Sequence, residues 1–346
     1  MSNMNARKMS TQVQPHGEIS INELFSISAH QLLVGSTSPA NIYIQLTNGK
    51  ILLIIREGHK VNLNQLHTTS DHKVDQLFVH RDSFAKLFSL NLQIAGVAVS
   101  HKELSDSQKM NVLVSTADGV FREIENMGFN TLSCSHAKFI IKSLITLIES
   151  KDSLRKLISS MQFINEDWIK HSMSVSGLSV ILAESLGWSA PQRLEKIALG
   201  GFLHDIGLRE IPEEIVFKPR HQMTLDEVKT YEEHVTRGAE ILRSIPDLPD
   251  DIISIALQHH ENYFGTGYPF RIRDTRINPS AKVIAIIDAF ADLVFSSKTN
   301  SVPRTAEAAL TFLETSMGQP FNKQIFSKLK DCVNGELPRV GKVKVI

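Results

Sequence analysis

The sequence predicts an all-α bundle in the C-terminal half, preceded by a small α/β domain and a helical connector. Three observations carry this reading. Beyond residue 166, apolar side chains recur at helical spacing between capping signals. Residues 99–165 keep the same period, as in HAKFIIKSLITLIES and SLRKLISSMQFI. Near residue 50, two runs rich in β-formers, NIYIQL and KILLII, flank Thr47-Asn48-Gly49, the pattern of a hairpin.

In chain order, residues 1–15 are polar and aperiodic, the composition of a disordered tail. Residues 16–98 are expected to form the α/β domain: the hairpin, a strand at QLFVH (76–80), then an amphipathic SFAKLFSL. Its histidines, His16, His30, His59, His67, His72 and His80, are scattered and read as solvated surface; only position suggests a regulatory role. Residues 99–150 are the connector, a segment suited to joining domains or to a homodimer seam.

Residues 151–346 hold the bundle. Ser189-x-x-Gln192 around Pro191 predicts a capping-box start, with Leu194, Ile197, Ala198 and Phe202 as the following stripe and Gly207 as the stop. Thr224-x-x-Glu227 opens a second helix with Val228, Tyr231 and Val235 on its buried side. DDIISIALQHH carries Ile252, Ile253, Ala256 and Leu257 up to His259 and His260. AKVIAIIDAFADLVF is apolar nearly all round, yet contains Asp288.

Bulk properties narrow the function. A chain of 346 residues accommodates two or three domains. With 37 basic and 37 acidic side chains and no long Lys/Arg run, bulk charge favours neither nucleic acid nor an anionic membrane. A small anion remains compatible, because a metal site supplies positive charge locally. Cys134 and Cys332 read as free thiols in a reducing compartment. MSNMNARKMSTQVQPHG lacks the apolar core of a secretory signal, and FIIKSLITLI at 139–148 is about half a membrane span. A cytoplasmic protein with no membrane span is therefore expected.

Asp288 is the most informative residue. A carboxylate inside a helix that is apolar on all sides needs a partner: a metal ion, a buried arginine, or histidine hydrogen bonds. Singly, His234 or the 259–260 doublet reads as ordinary core or surface histidine. Taken together, five imidazoles and two carboxylates occupy inward or terminal positions of consecutive helices. Such a set suits two divalent ions that prefer nitrogen and oxygen, such as iron or manganese, with Asp205 as a bridge. Two metals a few ångströms apart hold hydroxide at neutral pH and clamp the oxygens of a phosphoester.

The order His171, His204-Asp205, His234, His259-His260, Asp288, with HDIG at 204–207 and GYP at 267–269, resembles the HD-GYP family of the HD phosphohydrolase superfamily. The likeness runs from about 151 to about 325 and includes REIPEEIVFKPRHQMTLDEV and HHENYFGTGYP. It implies an all-α HD-GYP helical bundle that hydrolyses cyclic di-GMP to pGpG or GMP, with Asp205 as the central catalytic ligand. By that resemblance His171, His204, Asp205 and Asp288 bind one metal, and Asp205, His234, His259 and His260 the other. Trinuclear members carry a Glu four residues before the first histidine; Asp167 stands there, so a third metal near Asp167 stays open. The GYP loop of the family lies beside the site mouth and contacts partners such as GGDEF proteins.

Departures fall outside the seven ligands. The lysine of HDIGK is Leu208, with Arg209 next along. The Asp-Gly before GYP is Phe264-Gly265. The second Asp of D-x-x-D is Ala291, with Asp292 one residue later. An arginine-rich segment is replaced by SSKTNSVPRT, leaving Lys298 and Arg304 as candidate substrate contacts. These changes weaken substrate grip, so a metal-retaining but weakly active or inactive signalling module is the alternative expectation.

Overall fold

The computed structural model describes residues 19–27, 32, 36–46, 48–62, 77–149, 154–162, 164, 167–297, 300–317 and 320–335. The expected tail at 1–15, four of the scattered histidines (His16, His30, His67, His72) and Lys298 lie outside them. The chain forms two compact units, Met1–Ile94 and Ala95–Ile346.

The first unit holds an antiparallel sheet of β1 (Leu24–Ile27), β2 (Ile42–Gln45), β3 (Ile51–Ile55) and β4 (Leu77–His80), in the order β1-β4-β2-β3. The predicted hairpin is β2–β3, closed by Gly49 at φ 81° and an Asn48 side chain that accepts from the Lys50 amide at 3.1 Å. QLFVH supplies β4. The strand β1 escaped the sequence reading. Helix α1 (Arg81–Ser100) follows β4 directly; its Phe84 is buried and meets Phe25 edge-on at 5.6 Å.

In the second unit α2 (Asp106–Met127), α3 (Thr131–Glu149) and α4 (Leu154–Met161) lead into α5 (Asp167–Ser185) and α6 (Pro191–Leu203). The segment read as a connector packs here: α2 meets α3 and α5, and α3 meets α5 and α6. Leu113, Val120, Ile140 and Leu144 are fully buried. By length and composition two helical stretches among the described residues, Arg81–Ser100 and Thr131–Ile148, suffice to cross a bilayer, which the count of apolar residues did not anticipate. Half of the second is buried inside the protein, the position of a core helix.

Beyond α6 come α7 (Glu213–Val216), α8 (Leu225–Glu232), α9 (His234–Arg243), α10 (Asp250–Gln258), α11 (Pro279–Val294), α12 (Ala306–Thr315) and α13 (Lys323–Asn334). Helix α11 packs against α5, α10 and α12, and burial on several sides explains why its sequence is apolar nearly all round.

Local signals succeed where the side chain can reach its target. The Thr224 box forms: Glu227 N donates to Thr224 Oγ1 at 3.2 Å, and Thr224 N donates to Glu227 Oε2 at 2.7 Å. The Ser189 box does not. Ala190 caps α6 with no side-chain bond, and Pro191 at the first helical position removes one of the unpaired amides of the first turn. The Thr224 helix also breaks at Glu233, so His234 starts α9 instead of extending α8.

Gly207 is not a helix stop. Helix α6 ends at Leu203, and Gly207 sits in a 3-10 helix, Ile206–Glu210. A Cβ there would run into the backbone oxygen of His234 and lie 2.5 Å from Gly238 N. The glycine lets two backbones touch.

Candidate metal centre

Five helix-terminal or helix-borne segments deliver the seven predicted side chains to one place. His171 comes from α5, His204 and Asp205 from the end of α6, His234 from the start of α9, His259 and His260 from the end of α10, and Asp288 from α11. His204, His234, His259 and Asp288 are buried.

Backbone carbonyls orient three of the imidazoles. His204 Nδ1 bonds Gly201 O at 2.8 Å, His234 Nδ1 bonds Tyr231 O at 2.7 Å, and His259 Nδ1 bonds Ala256 O at 2.9 Å. A carbonyl only accepts, so each Nδ1 carries a proton and each Nε2 of a neutral ring offers a lone pair. With that of His171, those Nε2 atoms converge in two pairs. His171 Nε2 is 3.2 Å from His204 Nε2, and His234 Nε2 is 3.5 Å from His259 Nε2.

Asp205 lies between the pairs. Its Oδ2 is 3.3 Å from His204 Nε2 and 3.8 Å from His171 Nε2. Its Oδ1 is 3.4 Å from both His234 Nε2 and His259 Nε2. Asp288 Oδ1 stands 3.1 Å from His171 Nε2 and 3.5 Å from His204 Nε2, and Asp288 Oδ2 is 4.0 Å from His260 Nδ1. Asp205, His234, His259 and His260 bring one donor atom each within 4.8 Å of one another, and so do His171, His204 and Asp205.

Electrostatics differ between the two halves. Burial works to lower His204, but Asp205 and Asp288 outweigh it and raise the imidazole well above its ordinary range. Burial pushes His234 down to about 4, and burial with His259 and His234 nearby puts His260 well below the usual histidine range. Burial opposes ionisation of Asp205 and Asp288, yet the histidines around them hold both carboxyls well below normal. Asp205 Oδ1 is buried without a hydrogen-bond donor. A buried ionised oxygen without a hydrogen-bond donor is costly unless a cation lies beside it. The donor set fits divalent metal ions of the nitrogen/oxygen-preferring class.

Not every predicted residue joins the cluster. Asp167 lies 3.5 Å from Lys170 Nζ and belongs to no metal-donor group among the described residues. Arg304 rests over Phe312 at 4.5 Å from the ring centre. Leu208 is buried, and Arg209 turns to Glu125 at 3.1 Å, lying over Phe121.

Four participants were missed. Asp292, noted in the sequence only as a misplaced motif residue, lies one helical turn beyond Asp288 and puts Oδ1 3.3 Å from His171 Nδ1. The i, i+4 spacing was the available signal. Tyr268 covers His260 at 4.7 Å between ring centres, and Tyr231 meets His234 edge-on at 5.2 Å. Glu261, the acid of HHE, is buried and accepts from Phe270 N at 2.6 Å and Ile272 N at 3.0 Å, tying down the GYP loop. Gly267 of that loop passes against the His260 backbone, where a Cβ would meet the His260 oxygen. Replacing Glu261 with alanine strands two amides; thermal denaturation is expected to show a loss of about 2–4 kcal/mol.

The HD domain family matches residues 152–325. The chain belongs to the HD-domain family. Its HDIG and GYP segments, now seen around one cluster, place it with the HD-GYP proteins. This HD-GYP protein is 29% identical over 215 residues to a cyclic di-GMP phosphodiesterase of Thermotoga maritima, covering 58% of each chain. It is 28% identical over 180 residues to the cyclic di-GMP phosphodiesterase response regulator RpfG of Xanthomonas campestris, covering 52% of this chain and 47% of that one. The chain thus spans about half the length of these curated relatives. Among solved structures, Bd1817, an HDG"Y"P protein from Bdellovibrio bacteriovorus, shares the fold. Its TM-score is 0.69 at 22% identity, covering 90% of this chain and 99% of that one.

Proposed function

We propose that this HD-GYP protein is a metal-dependent phosphodiesterase that hydrolyses cyclic di-GMP to pGpG or GMP. The observation that carries the reading is Asp205, whose two oxygens each face a different histidine pair. His171, His204, Asp205 and Asp288 would hold one divalent ion, and Asp205, His234, His259 and His260 a second, iron or manganese by donor chemistry. Bound there, such ions supply Lewis acidity for hydrolysis of a phosphoester. The chain's own residues orient and shield. Carbonyls of Gly201, Tyr231 and Ala256 aim the imidazoles, while Tyr231 and Tyr268 keep water from one side of His234 and His260. The two relatives named cyclic di-GMP phosphodiesterases support the substrate class.

The same packing favours one alternative, a metal-binding signalling module of weak activity. Leu208 is buried and Arg209 is committed to Glu125, so neither offers the phosphate a cation. Iron and manganese per chain, measured after purification without added metal, and product formation from cyclic di-GMP under reducing conditions separate the readings. Metal with turnover supports the enzyme; metal without turnover supports the module. Chelation is expected to abolish turnover and Mn²⁺ or Fe²⁺ to restore it. A metal at about a hundred times its dissociation constant adds about 2.7 kcal/mol of stability, readable as a rise in melting temperature.

A further inference from the structure

The stretch between HDIG and the Thr224 helix carries Arg209, Lys218 and Arg220, none of which the proposed mechanism uses. The Arg220 guanidinium lies over two tyrosine rings at once, 5.8 Å from the centre of Tyr231 and 5.5 Å from that of Tyr268. Those rings are the ones that lie on His234 and His260. A positive charge is therefore held one aromatic ring away from the cluster. Its side chain is half-exposed, and its ion-pair partner is Glu232 on α8.

Neighbouring cations are engaged elsewhere. Lys218 is bound to both oxygens of Glu227 at 2.8 Å, Arg209 to Glu125, and Lys170 is buried beside Asp167. Arg220 is likewise paired with Glu232, but it alone of these four cations lies over the rings that touch His234 and His260. A guanidinium presents planar paired donors that match phosphate oxygens, and cation–π contact with two rings limits its wandering. One ring's width from the cluster is too far for the phosphate under attack, but suits a second phosphate of the same molecule.

We propose that Arg220 is a specificity-determining residue that grips the second, non-reacting phosphate of a two-phosphate substrate, the cyclic dinucleotide class. The assignment rests on the phosphodiesterase reading above. It predicts discrimination between a cyclic dinucleotide and a phosphodiester with a single phosphate.

The test uses the full-length, metal-loaded protein and bis(p-nitrophenyl) phosphate as the single-phosphate substrate. Two quantities are read: KM for that substrate, and the Ki of cyclic di-GMP as its competitor, which reports binding whether or not the dinucleotide is turned over. Arg220→Ala is expected to raise the ratio of Ki to KM about tenfold, Arg220→Lys to recover part of the loss, and Glu232→Gln to lower the ratio. Proportional changes in Ki and KM would overturn the assignment, because a general structural or electrostatic role moves both. So would an unchanged Ki, or a loss of metal content and melting temperature parallel to the loss of binding. Should the wild type hydrolyse neither compound, the phosphodiesterase reading fails on its own. The calorimetric Kd of cyclic di-GMP then replaces Ki: a tenfold rise in Arg220→Ala still supports the contact, and equal or absent binding in wild type and variant rejects it.

Discussion

Asparagine at position 205 is expected to cut phosphodiester hydrolysis by at least about a thousandfold while leaving a folded protein. Asp205 places one oxygen 3.3 Å from His204 and the other 3.4 Å from both His234 and His259, so its two oxygens serve different halves of the cluster. The amide keeps the shape but removes the charge and replaces one acceptor oxygen with a donor nitrogen. Metal assistance is worth several kcal/mol, and each ~1.4 kcal/mol is a factor of ten, so loss of the shared ligand reaches three decades readily. Folding responds differently. Asp205 Oδ1 is buried without a donor among rings whose Nδ1 atoms are already tied to carbonyls. An amide NH₂ at that position donates to a nearby Nε2 and relieves the conflict. The chelated variant should therefore melt no lower than the chelated wild type, while its bound metal falls sharply. Elemental analysis, melting curves with and without chelator, and turnover decide it. Full metal content with full rate would remove the basis for the proposed function.

The unequal legibility of the sequence has a physical pattern. Features set by residues within one or two turns were readable: the β2–β3 hairpin from Asn48-Gly49, the Thr224 box, and the apolar stretch of α11 that marks Asp288 as a buried acid. Features set by a meeting of distant backbones were not. Gly207 resembles a helix stop in one dimension, and only the approach of α9 reveals its role. Asp292 looked like a shifted motif residue until α5 brought His171 against it. Arg220 sits in a polar stretch without periodicity, and its place over Tyr231 and Tyr268 depends on α8 and the GYP loop meeting beside it. The break at Glu233 leaves almost no local trace, since its φ −64° and ψ −18° remain helical. Order along the chain gathered the candidate residues; assigning their geometry required the packed helices.

A single methyl group at position 207 should be nearly as damaging to catalysis as a lost ligand, by a different route. Gly207 follows Asp205 by two residues, and its Cα faces the first turn of α9. An alanine Cβ would strike the His234 carbonyl oxygen and stand 2.9 Å from Gly238 Cα. Both obstacles are backbone atoms of a helix, so no rotamer change clears them and α9 has to retreat. His234 begins that helix, with Nε2 3.4 Å from Asp205 Oδ1. A shift of about 1 Å at a catalytic group costs about a hundredfold in rate, and overpacking costs about 1–3 kcal/mol, or roughly 2–12 °C in melting temperature for a domain of this size. Gly238→Ala probes the opposite side of the same contact. A Cβ there has its nearest neighbour, Gly207 N, at 3.2 Å, a crowding that a few tenths of an ångström relieves. Gly207→Ala should therefore lose more rate and more stability than Gly238→Ala, measured side by side by turnover and thermal denaturation. Equal or reversed losses would mean that the contact between the 3-10 helix and α9 does not set the position of His234.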